Sequence, residues 1–244
     1  MQRSGDLHTL VLDHLGPAIV GGEYPEGSVL DLDAVAARLD VSRSVLREAL
    51  RVLASLGLIE ARHKVGTRVL PRTEWDLLHP NVIAWRAAGP GENDQLRDLL
   101  QLRRGVEPLA ARLVAGRLDG AALDTMARAC ADLETAAAHQ DRADFLRADE
   151  IFHAAILSNC GNELVARFER VVLAALRARQ REPRSVTTEW TPASLTLHRR
   201  LVSALRSATE AANAGESTGP AATRAERIAR QLVEMATTEM GWEP

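Results

Sequence analysis

The sequence predicts a mainly α-helical protein in two parts, a small helical unit carrying a β-hairpin followed by an all-helical bundle. Three observations predict it. Aromatic residues make up only 3% of the 244 residues and hydrophobic residues 46%, a composition rich in Ala, Leu and Arg that favours close-packed helices over sheets. Between Val41 and Val69 a helical apolar spacing gives way to two brief strand patterns. From Asp94 onward, apolar residues recur at intervals of three and four through six successive segments. The length leaves room for two domains with separate cores.

In the first part, Asp31 is placed to cap a short helix whose Leu32, Val35, Ala36 and Leu39 form an apolar stripe. Asp40-Val41-Ser42 then connects tightly to a second helix, in which Val45, Leu46, Ala49, Leu50 and Leu53 fall at helical spacing. Arg43, Arg47 and Arg51, four residues apart, project from another face of that helix. After Gly57, Leu58 to Ala61 and Thr67 to Val69 read as two strands, with Arg62, His63, Lys64 and Gly66 between them. Two short helices joined by a few residues and followed by a hairpin describe a winged helix-turn-helix.

Charges at this spacing usually form the solvated face of an amphipathic helix, and local charge argues against that reading here. Val41 to Leu70 holds six basic residues against two acids, whereas Met1 to Asp40 holds two against seven. A positive surface confined to the second helix and the hairpin suits contact with a polyanion. Guanidinium groups match both phosphate oxygens and the guanine edge. The overall charge of −3 conceals this patch.

Residues 8 to 70 resemble the winged helix-turn-helix of the GntR family of bacterial transcription regulators. The resemblance is carried by VSRSVLREALRVL, by GLIE and by the basic, glycine-containing hairpin. It implies that Arg43, Ser44 and Arg47 contact the operator and that the wing at Gly66 lies near the minor groove, with Arg51 and Lys64 completing the expected DNA-binding set. One departure is Asp33, where some members carry a basic contact residue.

Pro71 to Asn93, broken by Pro71, Pro80, Gly89, Pro90 and Gly91, reads as a linker between residues 1–70 and 94–240. Trp75, Leu78, Val82, Ile83 and Trp85 are spaced for a short amphipathic helix docked on one of the domains. WDLLHPNVIAW resembles the linker of family members that control sugar-acid operons, the galactonate operon among them. The bundle helices are expected at Leu96 to Leu118, Ala121 to His139, Arg142 to Asn159, Asn162 to Arg181, Pro192 to Ala208 and Pro220 to Thr238, with Thr209 to Gly219 a loop.

Asp149 and His153, four residues apart, share a helix face, and His198 lies on a later helix among Leu195, Leu197, Leu201 and Val202. Two imidazoles and a carboxylate form a ligand set for Zn, Ni, Mn or Fe with exchangeable positions left open. An Asp and a His at this spacing also occur on ordinary helices, where Asp149 would pair with Arg147 or Arg142. Arg103 reads most simply as an ion pair to Glu107 four residues on.

Residues 94 to 238 resemble the FCD ligand-binding domain of the FadR-type branch of the same family. RRGVEPLAARLVA, ADEIFHAAILSNCGN and the His198 helix carry the likeness. The resemblance places Asp149, His153 and His198 on metal-ligand positions, zinc being the first expectation, and points Arg103 into an effector cavity as a carboxylate clamp. A third histidine common in the family is replaced by Gln231, which weakens the metal site or serves the effector instead.

The expected function is a ligand-responsive repressor. It binds an inverted-repeat operator in double-stranded DNA as a homodimer and is released by a small carboxylate, a sugar acid by preference. A metal-dependent hydrolase built on Asp149, His153 and His198 lacks an H-E-x-x-H or G-x-S-x-G motif, and an enzyme is not expected. A purely architectural DNA-binding protein leaves the polar set of the bundle unexplained. Cys130 and Cys160, without C-x-x-C spacing, read as buried thiols. With neither a leader pattern nor a long apolar run, the protein is expected to be soluble and cytoplasmic.

Overall fold

The computed structural model describes residues 4–181 and 191–239. It is mainly helical, with a single two-stranded sheet among the described residues. The chain divides into two compact units between Glu92 and Asn93, each with its own apolar core.

The first unit opens with helix α1 (Ser4–Val20), which the sequence reading did not anticipate. Its signal was the spacing of Val11, Leu15, Ala18 and Ile19, all buried. Helices α2 (Leu32–Leu39) and α3 (Arg43–Ser55) follow as expected. The Asp31 carboxylate accepts from the Ala34 N–H at 2.9 Å and the Ser42 hydroxyl from the Val45 N–H at 3.3 Å, so both helices start on a side-chain cap. Asp40, at φ 50°, ends α2 in the left-handed conformation and allows the tight connection.

Leu46, Ala49 and Leu53 bury the inner face of α3 against Val11, Leu15 and Ile19 of α1. Strands β1 (Ile59–Arg62) and β2 (Gly66–Val69) pair antiparallel from Ile59–Val69 to Arg62–Gly66, leaving His63, Lys64 and Val65 at the tip. Gly57, at φ +72°, makes the turn into β1. A Cβ there would lie 2.0 Å from the Glu74 carbonyl oxygen, so no other residue fits without moving backbone.

The segment after the hairpin belongs to this unit. A 3-10 turn at Arg72–Glu74 leads to α4 (Pro80–Arg86), whose Val82, Ile83 and Trp85 are buried. Val82 and Trp85 join the core built by α1 and α3, while Leu78 remains exposed. Trp85 lies flat against Gly16, where a Cβ would come within 2.5 Å of the indole. Exchanging a helical Gly for Ala ordinarily stabilises by about 0.5 to 1 kcal/mol. Here the sign reverses: Gly16→Ala is expected to cost about 1 to 3 kcal/mol through overpacking, read by denaturant unfolding. A gain in stability would show that Trp85 is not seated there.

In the second unit, α5 (Glu92–Val114), α6 (Gly120–His139), α7 (Arg142–Ser158), α8 (Glu163–Ala166), α9 (Glu169–Arg181), α10 (Pro192–Asn213) and α11 (Gly219–Glu239) form the bundle. Helix α7 packs on α6 and α9, and α10 on α6 and α11. Val114, Met126, Phe152, Leu157, Leu205 and Ile228 stand in its main core.

Two expectations need correction. The single helix expected from Asn162 to Arg181 is divided at Arg167 and Phe168 into α8 and α9. The loop expected from Thr209 is shorter, because Thr209 to Asn213 continue α10 and only 214–218 connect it to α11. The Ala and Glu residues of that stretch are good helix formers, and a polar segment packed on one side need not break a helix. The expected end of the bundle at residue 240 lies outside the described residues. Among the described residues no helix is long and apolar enough to cross a membrane. Cys130 and Cys160 are free and buried, and burial, with Glu134 beside it, pushes the Cys130 thiol up to about 12.

Candidate functional sites

The candidate residues fall into two sites, one in each unit. On α3, Arg43, Ser44, Arg47 and Arg51 are exposed, and so are Lys64 and Gly66 of the hairpin. Asp33 of α2 lies 3.2 Å from the Arg43 guanidinium. Arg51 pairs with Glu48 three residues before it, but among the described residues no acid pairs with Arg47. Arg62 is neutralised by Glu60 at 2.6 Å. Arg68, counted above with the basic patch, turns inward: its Nε donates to the Gly27 carbonyl at 3.1 Å, half-buried, and fixes the root of the hairpin. Gly66 has φ +107° and Lys64 φ 63°, so the hairpin tip closes through two left-handed residues.

The second site lies inside the bundle, where α5, α7, α9, α10 and α11 enclose a cavity of about 20 Å³. Helical periodicity sets the pairs: Arg103 and Glu107 share a face of α5, Asp149 and His153 a face of α7, and Ser194 and His198 a face of α10. Packing then joins them into one chain of contacts. Arg103 Nε meets Glu107 Oε1; Glu107 Oε2 lies 2.6 Å from His153 Nδ1. His153 Nε2 stands 3.4 Å from Asp149 Oδ1, and His198 Nε2 approaches the same oxygen at 3.2 Å. His198 Nδ1 donates to the Ser194 carbonyl at 2.9 Å. Phe152 presents its ring to both imidazoles, with centroids 5.6 and 4.7 Å away.

These contacts decide the tautomers. A carbonyl and an ionised carboxylate only accept, so His198 Nδ1 and His153 Nδ1 each carry their proton. Both Nε2 atoms therefore face the Asp149 oxygen with a lone pair, unless a proton or a cation lies between. The ligand atoms of Asp149, His153 and His198 lie within 4.8 Å of one another. Imidazoles whose far nitrogens are bonded to a carboxylate and a backbone carbonyl are the usual arrangement behind a metal. The donor set fits a divalent ion.

Without an ion, protons take its place. Burial opposes charge on Glu107, His153 and Asp149, but their neighbours outweigh it. Arg103 and His153 bring Glu107 down to about 2, and Glu107 and Asp149 hold His153 up at about 9. His153 and His198 keep Asp149 well below the usual carboxylate range.

Of the sequence candidates, the structure thus joins Asp149, His153, His198 and Arg103, and it leaves Gln231 out of this cavity. The inward stripe of α11 is Ala225, Ile228, Ala229, Leu232, Val233 and Ala236, and Gln231 falls beside that stripe and is exposed. Gln231 therefore does not replace a third ligand. Leu232, Met235 and Ala236 are the α11 residues that line the cavity.

The sequence reading missed two polar residues. Glu107 was weighed only as a partner of Arg103, yet it also orients His153. Arg179 of α9, 6% exposed, lines the cavity beside Asp149 and the histidines. Its one signal was an arginine within the apolar run of Val172, Ala175, Leu176 and Ala178.

Residues 8–69 match the bacterial regulatory proteins of the gntR family, and residues 98–216 match the FCD domain. The galactonate operon transcriptional repressor of Escherichia coli (strain K12) is 30% identical over 165 residues, which is 67% of this chain and 71% of that protein. The chain belongs to the GntR family. The GntR and FCD parts make it a DNA-binding transcription regulator, not an enzyme. A second relative of this GntR-family chain, the HTH-type transcriptional regulator LutR of Bacillus subtilis (strain 168), is 30% identical over 171 residues, 69% of this chain and 74% of LutR. Among solved structures, E. coli McbR/YncC superposes with a TM-score of 0.53 at 15% identity, covering 98% of this GntR chain and 97% of that one. That likeness speaks to fold alone.

Proposed function

We propose that this chain is a repressor of a sugar-acid catabolic operon, released from its operator when a small carboxylate binds the FCD cavity. The observation that carries the reading is the cavity itself: two imidazoles with their far nitrogens engaged, both turned to one carboxylate, with the buried guanidinium of Arg179 on the same wall. Asp149, His153 and His198 would hold a divalent ion, zinc first, with Ni, Mn or Fe as alternatives. Such an ion supplies a Lewis acid for a carboxylate oxygen.

Arg179 then offers the organic acid its second contact. Arg103, already held by Glu107, acts behind His153 by positioning that carboxylate. The sugar-acid class is supported by the linker WDLLHPNVIAW and by the galactonate repressor among the relatives. In this reading residues 1–70 bind DNA as one half of a homodimer on an inverted repeat, 71–93 connect the parts, and 94–240 bind the effector. Arg43, Ser44, Arg47, Arg51, Lys64 and Gly66 form the DNA surface, with Arg47 the base reader because no acid among the described residues competes for it. The effector acts only through different affinity for the two dimer arrangements.

The test uses a duplex selected from random sequences by the purified protein, followed by fluorescence anisotropy. Arg47→Ala is expected to weaken binding by about 1 to 3 kcal/mol, the range of a bidentate base contact, and to leave the melting temperature unchanged. Addition of galactonate to the wild-type complex should release the duplex, and a chelator should prevent that release. Equal affinity in Arg47→Ala removes the residue from the interface; a duplex that no aldonate releases overturns the effector reading.

A further inference from the structure

The inner cavity and a sugar acid differ in size. Its volume of about 20 Å³ admits an ion or one water, well short of the roughly 300 Å³ at which pockets take small organic ligands. A groove of about 570 Å³ adjoins it, lined by Pro192, Ala193, Thr196, Leu197 and Arg200 of α10 and by Gln231 and Met235 of α11. Met235 lines both spaces.

The two spaces share the first turns of α10, which presents a different face to each. Ser194 and His198 face inward, while Pro192, Thr196 and Arg200 face the groove. Thr191, the residue that caps α10, accepts from the Ser194 N–H at 3.2 Å, and its hydroxyl points at the Met235 sulfur 3.8 Å away. The residue common to both spaces is therefore a half-buried, unbranched side chain with three rotatable bonds, its sulfur touched by the Thr191 hydroxyl.

We propose that the groove is the outer half of the effector site and that Met235 is the movable partition between the halves. The proposal rests on the small-carboxylate reading above. With Met235 swung aside the two spaces become one; the carboxylate end then reaches the ion held by Asp149, His153 and His198, and the hydroxylated chain lies in the groove. Arg200 donates hydrogen bonds, and the Gln231 amide both donates and accepts, which suits hydroxyls that do both. Gln231 thereby contacts the effector without being a metal ligand.

Isothermal titration of the full-length, zinc-loaded protein separates the halves. The probes are glycerate, whose three carbons end before the groove, and the aldonates galactonate, gluconate and xylonate, whose longer chains extend into it. At least one aldonate is expected to bind about tenfold tighter than glycerate, the value of one or two added hydrogen bonds. The double variant Arg200→Ala, Gln231→Ala should bring that aldonate down to the affinity of glycerate and leave glycerate itself unchanged. Both positions are exposed, so the fold is kept. Met235→Ala should raise aldonate affinity more than glycerate affinity, because no partition has to move.

Aldonate binding unaltered by the double variant overturns the groove and keeps the inner site. Glycerate binding with no aldonate binding does the same. Binding of none of these acids overturns both the groove and the carboxylate reading beneath it.

Discussion

Replacing Glu107 by alanine is expected to cost the C-terminal unit about 3 to 5 kcal/mol, the usual penalty for removing one partner of a buried ion pair. The reason is the position of Glu107 between Arg103 and His153, all three buried. Alanine leaves the guanidinium without the carboxylate that compensates it and takes the acceptor from His153 Nδ1. Metal affinity should also fall by about 10- to 100-fold, because a ligand loses the group that orients it. An unchanged melting temperature in Glu107→Ala would show that Arg103 is compensated elsewhere.

The same contacts give the metal-free wild type a pH signature. Glu107 is lowered from 4.5 to about 2, so its contribution is complete above about 4.5 and is lost as pH falls toward 2. His153 is raised from 6.5 to about 9, so its contribution is complete below about 6.5 and is lost as pH rises through 9. Thermal melts in a chelator should therefore show the pair at full strength between about pH 4.5 and 6.5 and a decline up to about 9. With metal bound, His153 is a neutral ligand and the alkaline decline should disappear. A chelated protein as stable at pH 9 as at pH 6 would contradict the charged imidazole.

The second large effect is expected from His153→Ala, which should weaken metal binding by about 100-fold or more, since losing even a group behind a ligand costs 10- to 100-fold. Zinc content after gel filtration reads it directly. Operator binding should persist, because α3 and the hairpin lie in a separate compact unit, while release by an aldonate should fail. One zinc per chain in this variant would remove His153 from the ligand set.

How much of this was legible beforehand follows the range of the interactions involved. Short-range patterns were readable. Asp31 and Ser42 cap helices because a side-chain oxygen reaches an N–H three residues on, and Asp149 and His153 share a face because a helix repeats every 3.6 residues. The recognition helix, the hairpin and the bundle helices came from the same local rules. So did the basic patch, although its reading counted Arg68 among the outward charges.

Tertiary structure alone decided the rest, because periodicity defines the stripe on a helix and not the direction in which packing turns it. Arg68 reaches the Gly27 carbonyl 41 residues earlier. His198 meets Asp149 across 49 residues of sequence. Glu107 gains its second role only because His153 of α7 meets it across from α5, and Arg179 becomes a cavity residue only because α9 packs on α7. Gln231 shows the limit most clearly: the stripe through Ile228, Leu232 and Ala236 sets which face of α11 is buried, and one residue of rotation places the amide in the outer groove and not beside the histidines. The sequence by itself determined a GntR-type helix-turn-helix with a wing, an all-helical second part and a carboxylate beside an imidazole. Helix packing decided which polar groups share a cavity, since burial of apolar stripes sets helix rotation and the polar residues follow it.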